Sequence, residues 1–142
     1  MDANAKQESE RLINALLPLA EKMLRQYGEF YPFGGYIKPD GNIVEMGADD
    51  PDTEKPKSKD LIYILRTSLQ DLARNHKVRA AAIIFDVAVA LPVSDRKGDA
   101  IQICVDHVGG YSAEVFFPYG LVDDEIVYGE TFAQEGKHEI FA

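Results

Sequence analysis

The chain has 142 residues, 46% hydrophobic and 27% charged, which is the composition of a folded domain and excludes a disordered or fibrous one. A single cysteine, Cys104, excludes an internal disulfide, and the longest apolar run, Val78 to Val93, is too short and too broken by Arg79, Asp86 and Pro92 to span a bilayer. Of the net charge of −9, residues 99–142 carry −8, with nine acids against the lone base Lys137; that field repels nucleic-acid phosphates and anionic membranes and attracts a basic protein.

Met1 to Arg11 is polar and charged, without the apolar stretch of a secretory signal, so the expected compartment is the cytoplasm. From Ala5 to Tyr27, Leu12, Ile13, Leu16, Leu17, Ala20, Met23, Leu24 and Tyr27 recur at helical spacing. Pro18 should kink or restart this helix, and Gly28 should stop it. Phe30 to Lys38 and Ile43 to Met46 flank Pro39-Asp40-Gly41-Asn42, the signature of a β-hairpin. The polar stretch Ala48 to Lys59 holds Asp49, Asp50, Asp52 and Glu54 but lacks the alternating ligands and central glycine of a calcium loop. Ser58 or Asp60 should then cap a second helix running to about Asn75, with Leu61, Ile62, Leu65, Leu69, Leu72 and Ala73 as its apolar stripe.

The remainder reads as strand. Between Ala81 and Leu91 one face holds Ile83, Phe85, Val87, Val89 and Leu91, and the other holds Ala82, Ile84, Asp86, Ala88 and Ala90. That split predicts a central strand whose small face receives both helices. After a turn from Ser94 to Asp99, Ile101, Ile103 and Val105 alternate with Gln102, Cys104 and Asp106, a half-exposed strand. His107 to Gly110 turns the chain into a strand bearing Tyr111, Ala113, Val115, Phe117 and Tyr119 on one face; Ile126 to Phe132 gives another. The expected architecture is one α+β domain, 1–142, in the order α-β-β-α-β-β-β-β. It has a single antiparallel sheet of five or six strands with two helices packed on one face.

Six of the fourteen aromatic residues fall in two near-repeats, Glu29-Phe30-Tyr31-Pro32-Phe33-Gly34 and Val115-Phe116-Phe117-Pro118-Tyr119-Gly120. Each proline should mark a strand end or edge, since it cannot donate to a ladder. Phe30, Phe33 and Phe117 are expected in the core, and Tyr31, Phe116 and Tyr119 partly exposed. If the two segments meet, they line a groove, and the candidate binding residues become Tyr31, Phe33, Asp86, Phe116 and Tyr119. Asp86 stands among apolar neighbours, where a carboxylate needs a partner. It either pairs with Arg66, Arg74 or a backbone group, or faces a pocket with a raised pKa.

No catalytic set is legible. The three histidines, at 76, 107 and 138, fall in separate elements, and Cys104 has neither a partner thiol nor His107 on its own strand face. Gly34-Gly35 and Gly109-Gly110 lack the context of a phosphate loop. No metal or cofactor is expected.

The segment from Glu29 to Gly34 after a helix, with Asp40-Gly41 and Ala80 to Asp86, resembles a widespread family of small bacterial α+β proteins, over most of the chain. That family has no assigned activity, so the resemblance implies none. The element order is similar to roadblock/longin-like domains, which implies dimerisation or scaffolding, and to secretion-chaperone-like folds, whose acidic dimers bind partner proteins. The chain departs from both by ending in strands. The expected function is a non-enzymatic protein-interaction or regulatory module with a basic protein partner, either immunity-type against a basic toxin or a homodimer with an apolar seam. The alternative is a small enzyme or ligand-binding domain with its site near Asp86 and the aromatic segments.

Overall fold

The computed structural model describes residues 3–48, 55–90 and 97–141. The expectations for Asp49 to Glu54, for Leu91 and for the start of the turn at Ser94 lie outside the described residues.

Helix α1 (Ala3–Tyr27) buries Ala5, Ser9, Leu12, Ile13, Leu16, Ala20 and Leu24, a stripe at three- and four-residue spacing. It runs through Pro18 without ending. Pro18 and Asn14, whose carbonyl loses its helical donor, both lie on the exposed side, where water serves instead. Gly28, at φ +74°, donates its N–H to the Leu24 carbonyl at 2.9 Å and closes the helix as expected. Strands β1 (Phe33–Ile37) and β2 (Ile43–Met46) form the expected hairpin, whose turn is held by the Asn42 N–H donating to Asp40 Oδ1 at 2.9 Å. Helix α2 (Ser58–Arg74) begins after Lys57, which has no side-chain capping bond; neither Ser58 nor Asp60 is the cap, and Asp60 instead sits in the first turn, where a negative charge meets the positive helix end.

The remaining strands are β3 (Ala80–Ala90), β4 (Lys97–His107), β5 (Ser112–Val122), β6 (Glu125–Tyr128) and β7 (Phe132–Glu135). All pairings are antiparallel, in the order β2-β1-β3-β4-β5-β6, with β7 also on β5. The α+β class, the antiparallel sheet and the element order agree with the sequence reading. The stretch read as one strand, Ile126 to Phe132, is divided: β6 pairs with Tyr119 to Val122 and β7 with Ala113 to Phe116, along the same side of β5. Pro118 therefore lies inside β5 rather than at its end. It occupies the junction where the partner changes from β7 to β6, so no ladder donor is missing there, and its carbonyl accepts from Gly129 at 2.8 Å.

The two helices lie on opposite faces, contrary to the expectation that both share the Ala82 face. On one side α1 packs Leu12, Leu16 and Leu24 with Ala80, Ala82, Ile84, Ile101, Ile103 and Val105. On the other, Leu65 and Leu69 of α2 pack against Ala81 and Ile83, with Tyr36 and Met46 alongside. The pleat sends alternate residues to opposite faces, and the sheet is thin on both sides where β1 meets β3. A Cβ on Gly35 would lie 2.8 Å from Leu16 Cδ2, and one on Gly34 would lie 3.7 Å from Leu65 Cδ2 and 2.7 Å from the Ala82 carbonyl oxygen. Two adjacent glycines beside three alanines thus admit a helix on each face. Among the described residues no helix is long and apolar enough to cross a membrane.

Candidate functional site

The two aromatic segments do not form one groove. Strands β3 and β4 separate them, and among the described residues no ring pair joins them. Phe30 and Phe33 meet edge to face at 5.9 Å, both buried in the α1 core. Phe117 and Tyr119 reach the same core from β5 and stay partly exposed, Phe117 touching Tyr128 at 6.3 Å. Phe116 points to the other face of the sheet. It is 8% exposed rather than partly open, because it stacks on Phe132 of β7 at 4.8 Å. Tyr31 is 56% exposed.

Asp86 is half-buried on the α1 face and accepts a hydrogen bond from the Tyr119 hydroxyl at 2.9 Å. Neither Arg66 nor Arg74 is its partner, because both belong to α2 on the opposite face. Burial pushes the Asp86 carboxyl up from its ordinary value, against the Tyr119 hydrogen bond and with help from the charges of Asp99 and Glu29. Burial likewise raises the Tyr119 hydroxyl, and the carboxylate it donates to raises it further. Of the five sequence-predicted residues, the fold brings together Asp86 and Tyr119 alone by a direct bond.

A second candidate lies on the α2 face, where a cavity of about 140 Å³ opens between α2, the sheet and the C-terminal tail. The tail is strapped down by its backbone: His138 N–H donates to Ser112 Oγ at 3.2 Å and Ile140 N–H to Asp106 Oδ2 at 2.8 Å. Ser112 Oγ donates in turn to Asp106 Oδ1 at 2.5 Å, so that buried carboxylate is satisfied on both oxygens. Arg66 Nε stands 2.7 Å from Glu139 in a partly exposed ion pair, and Gln70 Nε2 donates to the Glu139 carbonyl at 2.7 Å. Glu114, 6% exposed, also lines the cavity; among the described residues its carboxylate accepts a long hydrogen bond, 3.4 Å from Gln134 Nε2. Beside it, burial pushes the Cys104 thiol up to about 11, so the sulfur stays protonated and unreactive at neutral pH.

Sequence reading left this cavity unseen. Gln102, Cys104 and Asp106 alternate with apolar residues as a solvent-facing row would, and nothing in their spacing announces that a tail returns from 30 residues downstream to cover them. Ile140 and Phe141 were the available signal, an apolar pair after a polar stretch; they pack, partly buried, against the α2 core.

Sequence reading also missed a polar cluster at the start of the sheet. His107, 5% exposed, places Nε2 2.8 Å from Glu8 Oε1, while its Nδ1 accepts the Gly109 N–H at 2.8 Å. An accepting Nδ1 makes the ring neutral with its proton on Nε2, donated to Glu8. Arg79 donates to the other Glu8 oxygen and to the Pro39 carbonyl, the latter at 3.1 Å. Burial alone would raise the Glu8 carboxyl, but the bonds from His107 and Arg79 outweigh it and hold it below its ordinary value. Both Glu8 oxygens are engaged, so the cluster ties α1 to the sheet, while Arg79 Nε stays buried without a hydrogen-bond partner among the described residues.

The acidic third divides by position. Asp106 and Glu114 are buried, whereas Asp99, Asp123, Asp124, Glu125, Glu130, Glu135 and Glu139 are exposed. Five of these, from Asp123 to Glu135, lie along β6, β7 and their turns at one edge of the sheet, beside exposed Leu121, Val122 and Val127. The turn between β5 and β6 puts Asp123 at φ +52° and Asp124 at φ +63°, the left-handed region that a two-residue hairpin turn requires and that Asn-Gly fills most easily. No protein-family model matches the chain, and neither the curated proteins nor the solved structures contain a match to it.

Proposed function

We propose that the chain is a protein-interaction module whose β5–β6–β7 edge receives a basic protein partner. One observation carries this reading. The β5–β6 turn places two aspartates side by side in left-handed conformation, followed by Glu125 and flanked by exposed Val122 and Val127. Local stability favours Asn-Gly there, and two adjacent like charges repel, so the acids set stability aside for something outside the fold. Carboxylates around apolar side chains suit a basic protein surface, with charge guiding encounter and the apolar residues excluding water. An immunity-type role against a basic toxin belongs to this class.

The test is affinity capture from the source cell's lysate, comparing the native chain with the D123K/D124K/E125K variant. The expected result is a basic protein retained at low salt by the native chain and lost both on charge reversal and at high salt. Capture that the variant retains in full, or self-association that persists at high salt without such a partner, would overturn the reading; the latter would point to the homodimer.

A further inference from the structure

We propose that His107 is a proton-operated latch on the β4–β5 turn. The neutral ring holds the Gly109 N–H, and on protonation it releases that amide while keeping its bond to Glu8. The device goes beyond the edge reading and operates without a partner.

Both ring nitrogens have fixed duties. A backbone N–H can only donate, so the 2.8 Å contact from Gly109 makes Nδ1 an acceptor, and the ring's one proton sits on Nε2, 2.8 Å from Glu8 Oε1. A second proton can therefore enter only at Nδ1, where it meets the Gly109 hydrogen and ends that bond. On the other side the bond survives. Against the upward push of burial, the bonds from His107 and Arg79 hold Glu8 below its ordinary value and so ionised. Nε2–H then donates from a cation to an anion, the stronger kind of hydrogen bond.

Release of the amide costs little, because Val108, Gly109 and Gly110 are exposed and water takes the place of the ring. Gly110 already sits at φ +97°, and two adjacent glycines give the loosened turn other conformations to adopt. The movement is bounded by the backbone: the His107 N–H donates to the Tyr111 carbonyl at 2.8 Å and the Val108 N–H to the Arg79 carbonyl at 2.9 Å. Glu8 from α1 and Arg79 from the start of β3 are the charged groups joined to the ring, the first attracting the added charge and the second repelling it. Around them, Ala80 is the ring's partner on β3, and Tyr111 of β5 packs against the α1 core. Asp106, its neighbour on β4, is held on the opposite face by Ser112 and the Ile140 N–H.

The test is a titration of the labelled full chain from about pH 8 to about pH 5, the range in which histidines change charge, following the ring nitrogens and the backbone amides by NMR. At the upper pH, Nε2 should carry the proton and Nδ1 none. As the His107 ring takes its second proton, the protection of Gly109 against hydrogen exchange should fall roughly tenfold or more with the same midpoint, after correction for the intrinsic effect of pH, while Leu12 and Ile140 stay protected. H107N places an amide oxygen where Nδ1 stood, so in that variant Gly109 should stay protected at every pH. E8Q removes the attracting charge and should move the ring and Gly109 midpoints together to lower pH. A proton on Nδ1 at the upper pH, Gly109 protection that persists through the ring's titration, or loss of protection at all amides together would each overturn the latch in the native chain alone, should a variant not fold. Gly109 responding to pH in H107N would overturn it as well, since the exposed His76 and His138 would then be the groups it follows.

Discussion

Glu8 and Asp86 are carboxylates on the same face of the sheet that their surroundings push in opposite directions. Glu8 receives a histidine N–H and a guanidinium, which overcome its burial and keep it ionised. Asp86 receives one phenol hydroxyl, and burial prevails. A carboxyl whose pKa is raised by folding binds its proton more tightly in the native state, so its contribution to stability declines as the pH rises from its unfolded to its folded value. Asn at this position keeps an oxygen to accept from Tyr119 and carries no charge. D86N should therefore melt higher than the native chain near pH 7, and the two curves should converge as the pH is lowered through the ordinary carboxylate range. Thermal melts across that range check it, and a variant that melts lower at neutral pH would show that the charge itself holds Tyr119. The substitution to Ala leaves the Tyr119 hydroxyl without its acceptor and is the less informative change.

At the scale of elements, periodicity located both helices, the hairpin and the long strands, because those patterns depend on nearest neighbours in the chain. It did not reveal which face each helix covers. Ala80 to Ala82 and Gly34-Gly35 are small toward both sides, so the large-and-small split along β3 fits one covered face or two, and only long-range packing decides. Phe116 and Glu114 illustrate the same limit. They alternate with core residues of β5 and look solvent-facing, yet β7 and the tail bury them from positions that local spacing does not encode. In the candidate site, Asp86 was legible as a charge among apolar neighbours, whereas its partner Tyr119, on the second strand away, was not legible as such. Two covered faces make Phe33 and Phe116 equivalent in burial though they lie on opposite sides of the sheet. Truncating either to Ala should cost roughly 3–5 kcal/mol, since both leave a cavity in packed surroundings. Their effects should add within about 0.5 kcal/mol, because they share no neighbour. Urea titrations of the two single variants and the double one measure this. A cost at Phe116 well under that at Phe33 would mean that the Phe132 stack is loose.

For the molecule as a whole, charge is unevenly spread: residues 1–98 are close to neutral, residues 99–142 carry −8, and five of their nine acids lie along the β6–β7 edge. Self-repulsion there weakens the fold slightly, since among the described residues only Glu139 of that third's exposed acids is paired with a lysine or arginine. If the edge exists for a partner, stability and binding should respond oppositely to the same change. D123N/D124G replaces the two left-handed aspartates with the pair that a two-residue hairpin turn prefers, relieves backbone strain and removes two adjacent charges. The variant should be more stable than the native chain by about 1 kcal/mol, with the gain shrinking as added salt screens the repulsion that the native turn suffers. Its capture of the basic partner should fall sharply and its association rate fall more than its dissociation rate rises, because exposed charges act mainly on encounter. Denaturant titrations at low and high salt give the first quantity, and surface-immobilised kinetics give the second. A variant that is stabilised yet binds as before would move the interface away from this turn, and one that is destabilised would show that the aspartates serve the fold itself.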